Sequence, residues 1–127
     1  MIELYVKTTK RIQAINITEQ VADAIRGKEG SVLHVYTPHT TCGLCINEQA
    51  DPSVIRDIMD ALDRMAPSGY SYRHLEGNSD AHIKAALTGS SVSIPVTEGT
   101  MKLGTWQGIF YMEFDGPRKR GVILTLV

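Results

Sequence analysis

TWQGIFYMEFDGPRKRGVILTLV, residues 105–127, is the stretch whose reading decides the fold. Side chains alternate along a strand, so residues 105–114 form a long strand with two distinct faces. Trp106, Phe110, Met112 and Phe114 share one face, and Gln107, Ile109, Tyr111 and Glu113 share the other. Asp115-Gly116-Pro117-Arg118 reads as a turn, and residues 121–127 as a closing apolar strand antiparallel to the one before. A strand, a turn and a returning strand make an antiparallel sheet the organising element.

The rest of the chain supplies more strands and three helices. Ile2, Leu4 and Val6 alternate with polar residues, residues 11–17 read as a second strand with a bulge near Ile15, and residues 31–37 as an interior strand. Residues 43–47 form a short strand, and Val92, Ile94 and Val96 another, with Pro95 marking an edge or an irregularity. Thr18 can cap a short helix carrying Val21 and Ile25 at helical spacing. Asp51-Pro52 starts a helix over residues 52–66, with Pro at its first position. Ile55, Ile58, Met59, Leu62 and Met65 form its apolar stripe. Helices and strands without regular βαβ alternation predict an α+β fold built on a mainly antiparallel β-sheet, as a single domain over residues 1–127.

A formal charge of −1 gives no electrostatic reason to expect nucleic acid or an anionic membrane as partner. No apolar run approaches the roughly 20 residues of a membrane span, and no signal peptide opens the chain, so a cytoplasmic location is expected. Cys42 and Cys45 form a C-x-x-C in outline. A redox pair wants its first thiol at a helix N-terminus, and here the helix starts too late, at Pro52. Two small buried hydrophobes is the better reading, with a Cys42 nucleophile beside His39 as the alternative.

GYSYRHLEGNSDAHIKAALTG, residues 69–89, holds His74 and His82 around a Glu-Gly-Asn-Ser turn. Asn78 or Ser79 can cap the helix that follows, and Gly89 is placed to end it. His82 therefore falls in the first turn, near exposed N–H groups and the positive end of the helix dipole. With His39 in a polar turn as well, three imidazoles are available for a divalent ion, and such a set with an open fourth position suits zinc. His34 lies inside a strand run and reads as a satisfied core residue. Among the acids, Glu48 and Glu76 are candidate acid/base groups, and a mid-strand Glu113 needs a partner or a ligand. Arg118, Lys119 and Arg120 form a basic cluster that is either a solvated turn or a phosphate contact.

The blocks PHTT…INEQADPSV, RHLEGNSDAHIKAALTGSS and LGTWQGIFYMEFDGPRKR, in that order and spacing, give the chain a resemblance to the YjbQ family over almost its whole length. The family is often labelled secondary thiamine-phosphate synthase. The resemblance implies an α+β fold assembled as a homotrimer. It also implies a pocket lined by His39, Asn47, Glu48, His74, Glu76, Asn78, His82, Gln107, Glu113 and Arg118. The label implies joining an aminopyrimidine diphosphate to a thiazole phosphate. Cys42 departs from the small residue expected at its position in the family, and a sulfur there could join a histidine site.

Two function classes follow. One is a metal-assisted transferase or hydrolase acting on a phosphorylated small molecule. In it His39, His74 and His82 hold the ion, and Glu48 or Glu76 serves as acid/base. Arg118 and the Asn78–Ser79 amides hold phosphate, with Asn47, Gln107 and Glu113 as further substrate contacts. The other is a non-catalytic trimer that binds a metal or a metabolite. An open coordination position favours the first and a closed four-ligand site the second.

Overall fold

The structure, a computed structural model, describes residues 1–127. In chain order the elements are β1 (Ile2–Lys7), β2 (Gln13–Asn16), α1 (Thr18–Ile25), β3 (Val32–Tyr36), β4 (Cys42–Glu48), α2 (Pro52–Met65) and α3 (Ser79–Thr88). They continue as β5 (Ser91–Thr97), β6 (Thr100–Met101), β7 (Gln107–Glu113) and β8 (Lys119–Leu126). Every strand pairing is antiparallel. One sheet has five strands in the order β1-β8-β3-β5-β6, and the other three in the order β2-β7-β4.

The expected hairpin of β7 with β8 is not formed. β7 pairs with β2 and β4, while β8 pairs with β1 and β3 in the other sheet. The reason lies in the burial each strand requires. Both faces of β7 are apolar, so it belongs in a middle layer: Ile109 and Tyr111 point into one core cluster, Met112 towards a second. β8 buries Val122 and Leu124 on one face only, which suits an outer sheet.

Three layers result. The large sheet packs Val6, Leu33, Val35, Ile94, Val122 and Leu124 against Cys42, Leu44, Ile109 and Tyr111 of the small sheet, with Val21 and Ile25 of α1 closing one side. The far face of the small sheet is covered by α2 and α3 through Leu62, Ala81, Met112 and Phe114. The far face of the large sheet is bare and exposes Tyr5, Val32 and Tyr36. His34 lies on that face, not in the core; its Nδ1 is 3.2 Å from the Ser93 hydroxyl and its ring stacks on Tyr36.

The helix signals hold with local differences. Asp51 caps α2 by accepting from the Ser53 amide at 2.9 Å, and Pro52 opens the helix. Its stripe is buried or half-buried through Leu62, but Met65 is exposed. In α1 the cap position is Ile17, and Thr18 is the first helical residue, held by Asn16 Oδ1. β2 keeps an unbroken register with β7 from Gln13 to Asn16, so the bulge is absent. Gly89 ends α3 at φ 88°, a conformation that favours glycine. Gly43 lets α3 lie close on β4, because a Cβ there would collide with the Thr88 hydroxyl.

Candidate functional site

The connection from β3 to β4 and one side of α3, from His82 to its C-terminal end, border an open cavity of about 490 Å³. Thr37, His39, Thr40 and Cys42 line it from the connection and β4, and His82 and Ala85 from the helix. The close approach of α3 at Gly43 is what brings His82 to this mouth. Outside the cavity wall His74 meets His82 edge-on, with ring centroids 5.5 Å apart. The Glu76 carboxylate stands 3.9 Å from His74 Nε2.

His39 stands where β3 has left β8. Its Nε2 accepts the Gly121 amide proton at 2.9 Å, completing the hydrogen bonding of β8 there. That backbone donor assigns the imidazole proton to Nδ1. Burial, followed by the nearby Arg120 charge, lowers the His39 pKa and favours the neutral ring. As placed, His39 is a fixed hydrogen-bonding group rather than a free lone pair.

Behind the cavity lies a sealed ionic centre. Arg120 grips the Glu113 carboxylate with Nε, at 2.9 Å from Oε1, and with Nη2 on Oε2. The Thr8 hydroxyl donates to Glu113 Oε1 at 2.7 Å, and the Asp115 amide to Oε2 at 3.1 Å. Cys42 Sγ reaches Oε2 at 3.4 Å, and Arg120 Nη2 also donates to Thr41 Oγ1. Burial would raise the Glu113 pKa, but the hydrogen bonds from Arg120, Thr8 and Asp115 outweigh it and hold the carboxyl below its ordinary value. Burial pushes the Cys42 thiol up to about 12 and raises Cys45 as well, so neither thiol is an activated nucleophile. Cys42 belongs to the core between the sheets and Cys45 packs on the helix side of β4, so the two cannot form a bridge as placed.

A second ionic group sets the position of α3. Arg11 makes a bidentate pair with buried Asp80 at 3.0 and 3.1 Å, and buried Lys84 reaches Asp63 at 2.7 Å and Asp80 at 3.6 Å. Burial acts to raise the Asp80 pKa, and the Arg11 hydrogen bonds and charge reverse it to a net lowering. Asn78 occupies the cap position without capping; its Nδ2 donates to Asp115 Oδ2 at 3.0 Å, and its buried Oδ1 has no partner.

The sequence candidates thus divide. His39 and His82 share a cavity, His74 pairs with His82, Glu76 stands beside His74, and Asn78 and Ser79 open the same helix. Glu113 is sealed beneath the cavity by Arg120. Arg118 lines a separate cavity with Lys7 and Lys119. Arg120, read as part of a solvated or phosphate-binding cluster, is buried instead. Asn47, Glu48 and Gln107 lie at the opposite end of β4 and β7. Cys42 to Glu48 is six strand steps, about 20 Å at ~3.3 Å per residue.

Those last side chains serve local backbone: Asn47 Oδ1 accepts from the Glu48 amide, Glu48 from the Ala50 amide, and Gln107 from the Gly104 amide. Sequence reasoning missed Arg11, Asp80 and Lys84 as a unit, although Asp80 and Lys84 have the i,i+4 spacing of a helical ion pair.

For an ion, the donor types fit and the number is short. His74 and His82 with the Glu76 carboxylate offer the nitrogen and oxygen donors that zinc or manganese accepts. No three His, Cys, Asp or Glu side chains converge in the chain, and His39 points its acceptor nitrogen at Gly121.

A family model described as "UPF0047 protein YjbQ-like" matches residues 2–127. A UPF0047 protein of Archaeoglobus fulgidus is 48% identical over 124 residues, covering 96% of this chain and 97% of that protein. The crystal structure of a YjbQ/UPF0047 family protein from Clostridium acetobutylicum superposes with a TM-score of 0.94 at 49% identity, covering all of both chains. A conserved hypothetical protein of Thermus thermophilus gives a TM-score of 0.94 at 41% identity, again over both whole chains.

Proposed function

The chain belongs to the YjbQ-like UPF0047 family of uncharacterised proteins, and from that premise we propose that the His39–His82 cavity is the active site of a small-molecule enzyme, a metal-assisted transferase or hydrolase acting on a phosphorylated substrate. The observation that carries this reading is the cavity itself: two histidines face one space of about 490 Å³, one of them locked by Gly121 and the other paired with His74. A volume of that size suits a small metabolite.

In this reading His74 and His82 would hold a divalent ion, zinc by donor type, which would supply Lewis acidity there. Glu76, beside His74, is the acid/base candidate. His39 orients polar substrate groups through its Nδ1 proton. Thr37 is fixed by its 2.8 Å hydrogen bond with Tyr111. Glu48, Asn47 and Gln107 join this site only through a neighbouring copy. Assembly as a homotrimer is part of the proposal, and the exposed Val32 and Tyr36 on the outer side of β3 favour such cover. No helix is long and apolar enough to cross a membrane, and two free thiols, Cys42 buried and Cys45 half-buried, go with a cytoplasmic setting.

The test is turnover by purified protein loaded with zinc, manganese or magnesium. The substrates are a phosphomonoester panel and the condensation of an aminopyrimidine diphosphate with a thiazole phosphate. His82→Ala is expected to lower the rate by about 10²-fold or more, the scale of a lost catalytic group. Equal rates in wild type and His82→Ala would overturn the reading. Metabolite binding without turnover would select the non-catalytic trimer. Light scattering giving one 14.0 kDa chain at micromolar concentration would end the trimer proposal.

A further inference from the structure

Across the β1–β8 pair, Lys7 stands directly opposite Lys119. Directly opposed side chains in an antiparallel pair have Cβ atoms about 4.5–5.5 Å apart, and like charges there are destabilising. Lys119 is partly relieved by Tyr5, whose ring centre lies 4.2 Å from the ammonium. No carboxylate pairs with Lys7 or with Lys119. Arg118 adds a third cation. Its Nε donates to the Asp115 carbonyl at 2.9 Å and its Nη2 to the Asp115 carboxylate at 3.3 Å, with the side chain still 57% exposed.

These three cations line one cavity of about 460 Å³ with Tyr5, Thr8 and Pro117, and no acid is part of its wall. The nearest acids are occupied: Glu3 accepts from the Tyr5 hydroxyl at 3.0 Å, and Asp115 is held by Arg118 and Asn78. The wall is also firmly built. Thr8 accepts the Arg118 amide at 2.8 Å, donates to Glu113, and sends its own amide to the Arg118 carbonyl at 2.9 Å. The backbone that presents the cations is therefore pinned to the buried Glu113–Arg120 pair.

We propose that this cavity binds the phosphoryl or pyrophosphoryl group of a small molecule, at a site separate from the histidine cavity and independent of whether that cavity is catalytic. Opposed lysines are an unfavourable arrangement in the empty sheet and a favourable one around a multiply charged oxyanion. Arginine adds the planar fork that phosphate oxygens accept. The two cavities lie on either side of one carboxylate: Thr8 of the cationic wall and Cys42 of the histidine wall both contact Glu113.

The probe is inorganic pyrophosphate, measured by calorimetry and thermal shift on the full chain at low salt, against chloride at equal ionic strength. Wild type is expected to bind and to gain in Tm. Lys7→Gln/Lys119→Gln should keep its circular dichroism spectrum and lose affinity by at least about tenfold, the scale of one lost charge-assisted contact. Without ligand the double variant should melt at or above the wild-type temperature, because the like-charge pair is gone. His82→Ala should bind pyrophosphate as wild type does. Wild-type protein that binds no pyrophosphate, or a double variant that binds within about twofold of wild type, would overturn the site. Binding lost in His82→Ala and kept in the double variant would move the anion to the histidine cavity, ending this proposal while the enzyme reading stands.

Discussion

The paired strands β4 and β7 have two very different ends. At one end Cys42 faces Glu113, and around them Arg120, Thr8 and Thr41 form a dense buried network under two cavities, with His39 half-buried beside it. At the other end Glu48 faces Gln107, and their side chains, with Asn47, tie off nearby backbone amides in solvent. Both ends are rich in polar residues. Only at the first does burial make the polar groups interdependent, and low local dielectric turns a missing partner there into a large penalty. Polar sequence thus marks both ends, and burial separates the end that commits the fold from the end that only finishes it.

The largest effect is expected from removing one member of the buried pair. Glu113→Ala leaves Arg120 buried without a counter-charge and should cost about 3–5 kcal/mol, read from urea unfolding. Replacing both, as Glu113→Leu with Arg120→Met, should recover most of that loss, since a buried pair is worth little more than well-packed apolar groups. A double variant as unstable as Glu113→Ala would show that Thr8, Thr41 and Asp115 depend on the charges themselves.

Leu62→Ala tests the opposite face of the same middle layer. Leu62 packs with Ala81, Met112 and Phe114 beneath α2 and α3, and truncating it should cost about 2–5 kcal/mol. A loss under about 1 kcal/mol would mean that α2 is not a structural cover of the small sheet.

The helix α2 was legible because its signals are local: a proline at the first turn, an aspartate to cap it and a stripe at helical spacing. The two faces of β7 were legible for the same reason. Its pairing was not, since the partners come from β2 and β4, far back in the chain, and are chosen by which faces need cover. Arg120 hides in a basic run, although it is in phase with Val122 and Leu124, the inward residues of β8. His39 and His82 stood out as histidines in polar turns, but their shared cavity depends on how closely α3 lies on β4 at Gly43. Glu48 and Gln107 carried the right chemistry in sequence, and only the length of the strand sets them apart from the histidines.

Acid should act on the buried end in two stages. The His39 pKa is lowered from 6.5, mainly by burial, so the folded chain takes up that proton less readily than the unfolded chain. Its stabilising contribution is complete above about pH 6.5 and is lost as the pH falls through the folded value. Glu113 has a net lowering from 4.5, so its contribution is present above that value and disappears as the pH falls through its lower folded pKa. His39→Gln should remove the upper stage of an unfolding-versus-pH curve and leave the lower one. An unchanged upper stage would assign it to another group.

The smallest effect is expected at the far end of the strands. Glu48→Gln keeps an oxygen that can accept the Ala50 amide, a bond made in solvent, so the change in stability should stay within about 0.5 kcal/mol. Glu48 lies about 20 Å along β4 from the histidine cavity, too far to act there within one protomer. Substrate turnover and metal content of Glu48→Gln should therefore match wild type if the cavity works alone. A variant with unchanged stability and unchanged assembly but lost turnover would give a different result of equal use: a neighbouring copy must then carry its Glu48 into the site. Diluting the wild type below its assembly concentration separates the two cases, because an intersubunit Glu48 loses its effect with the assembly, whereas a site contained in one chain keeps its specific activity.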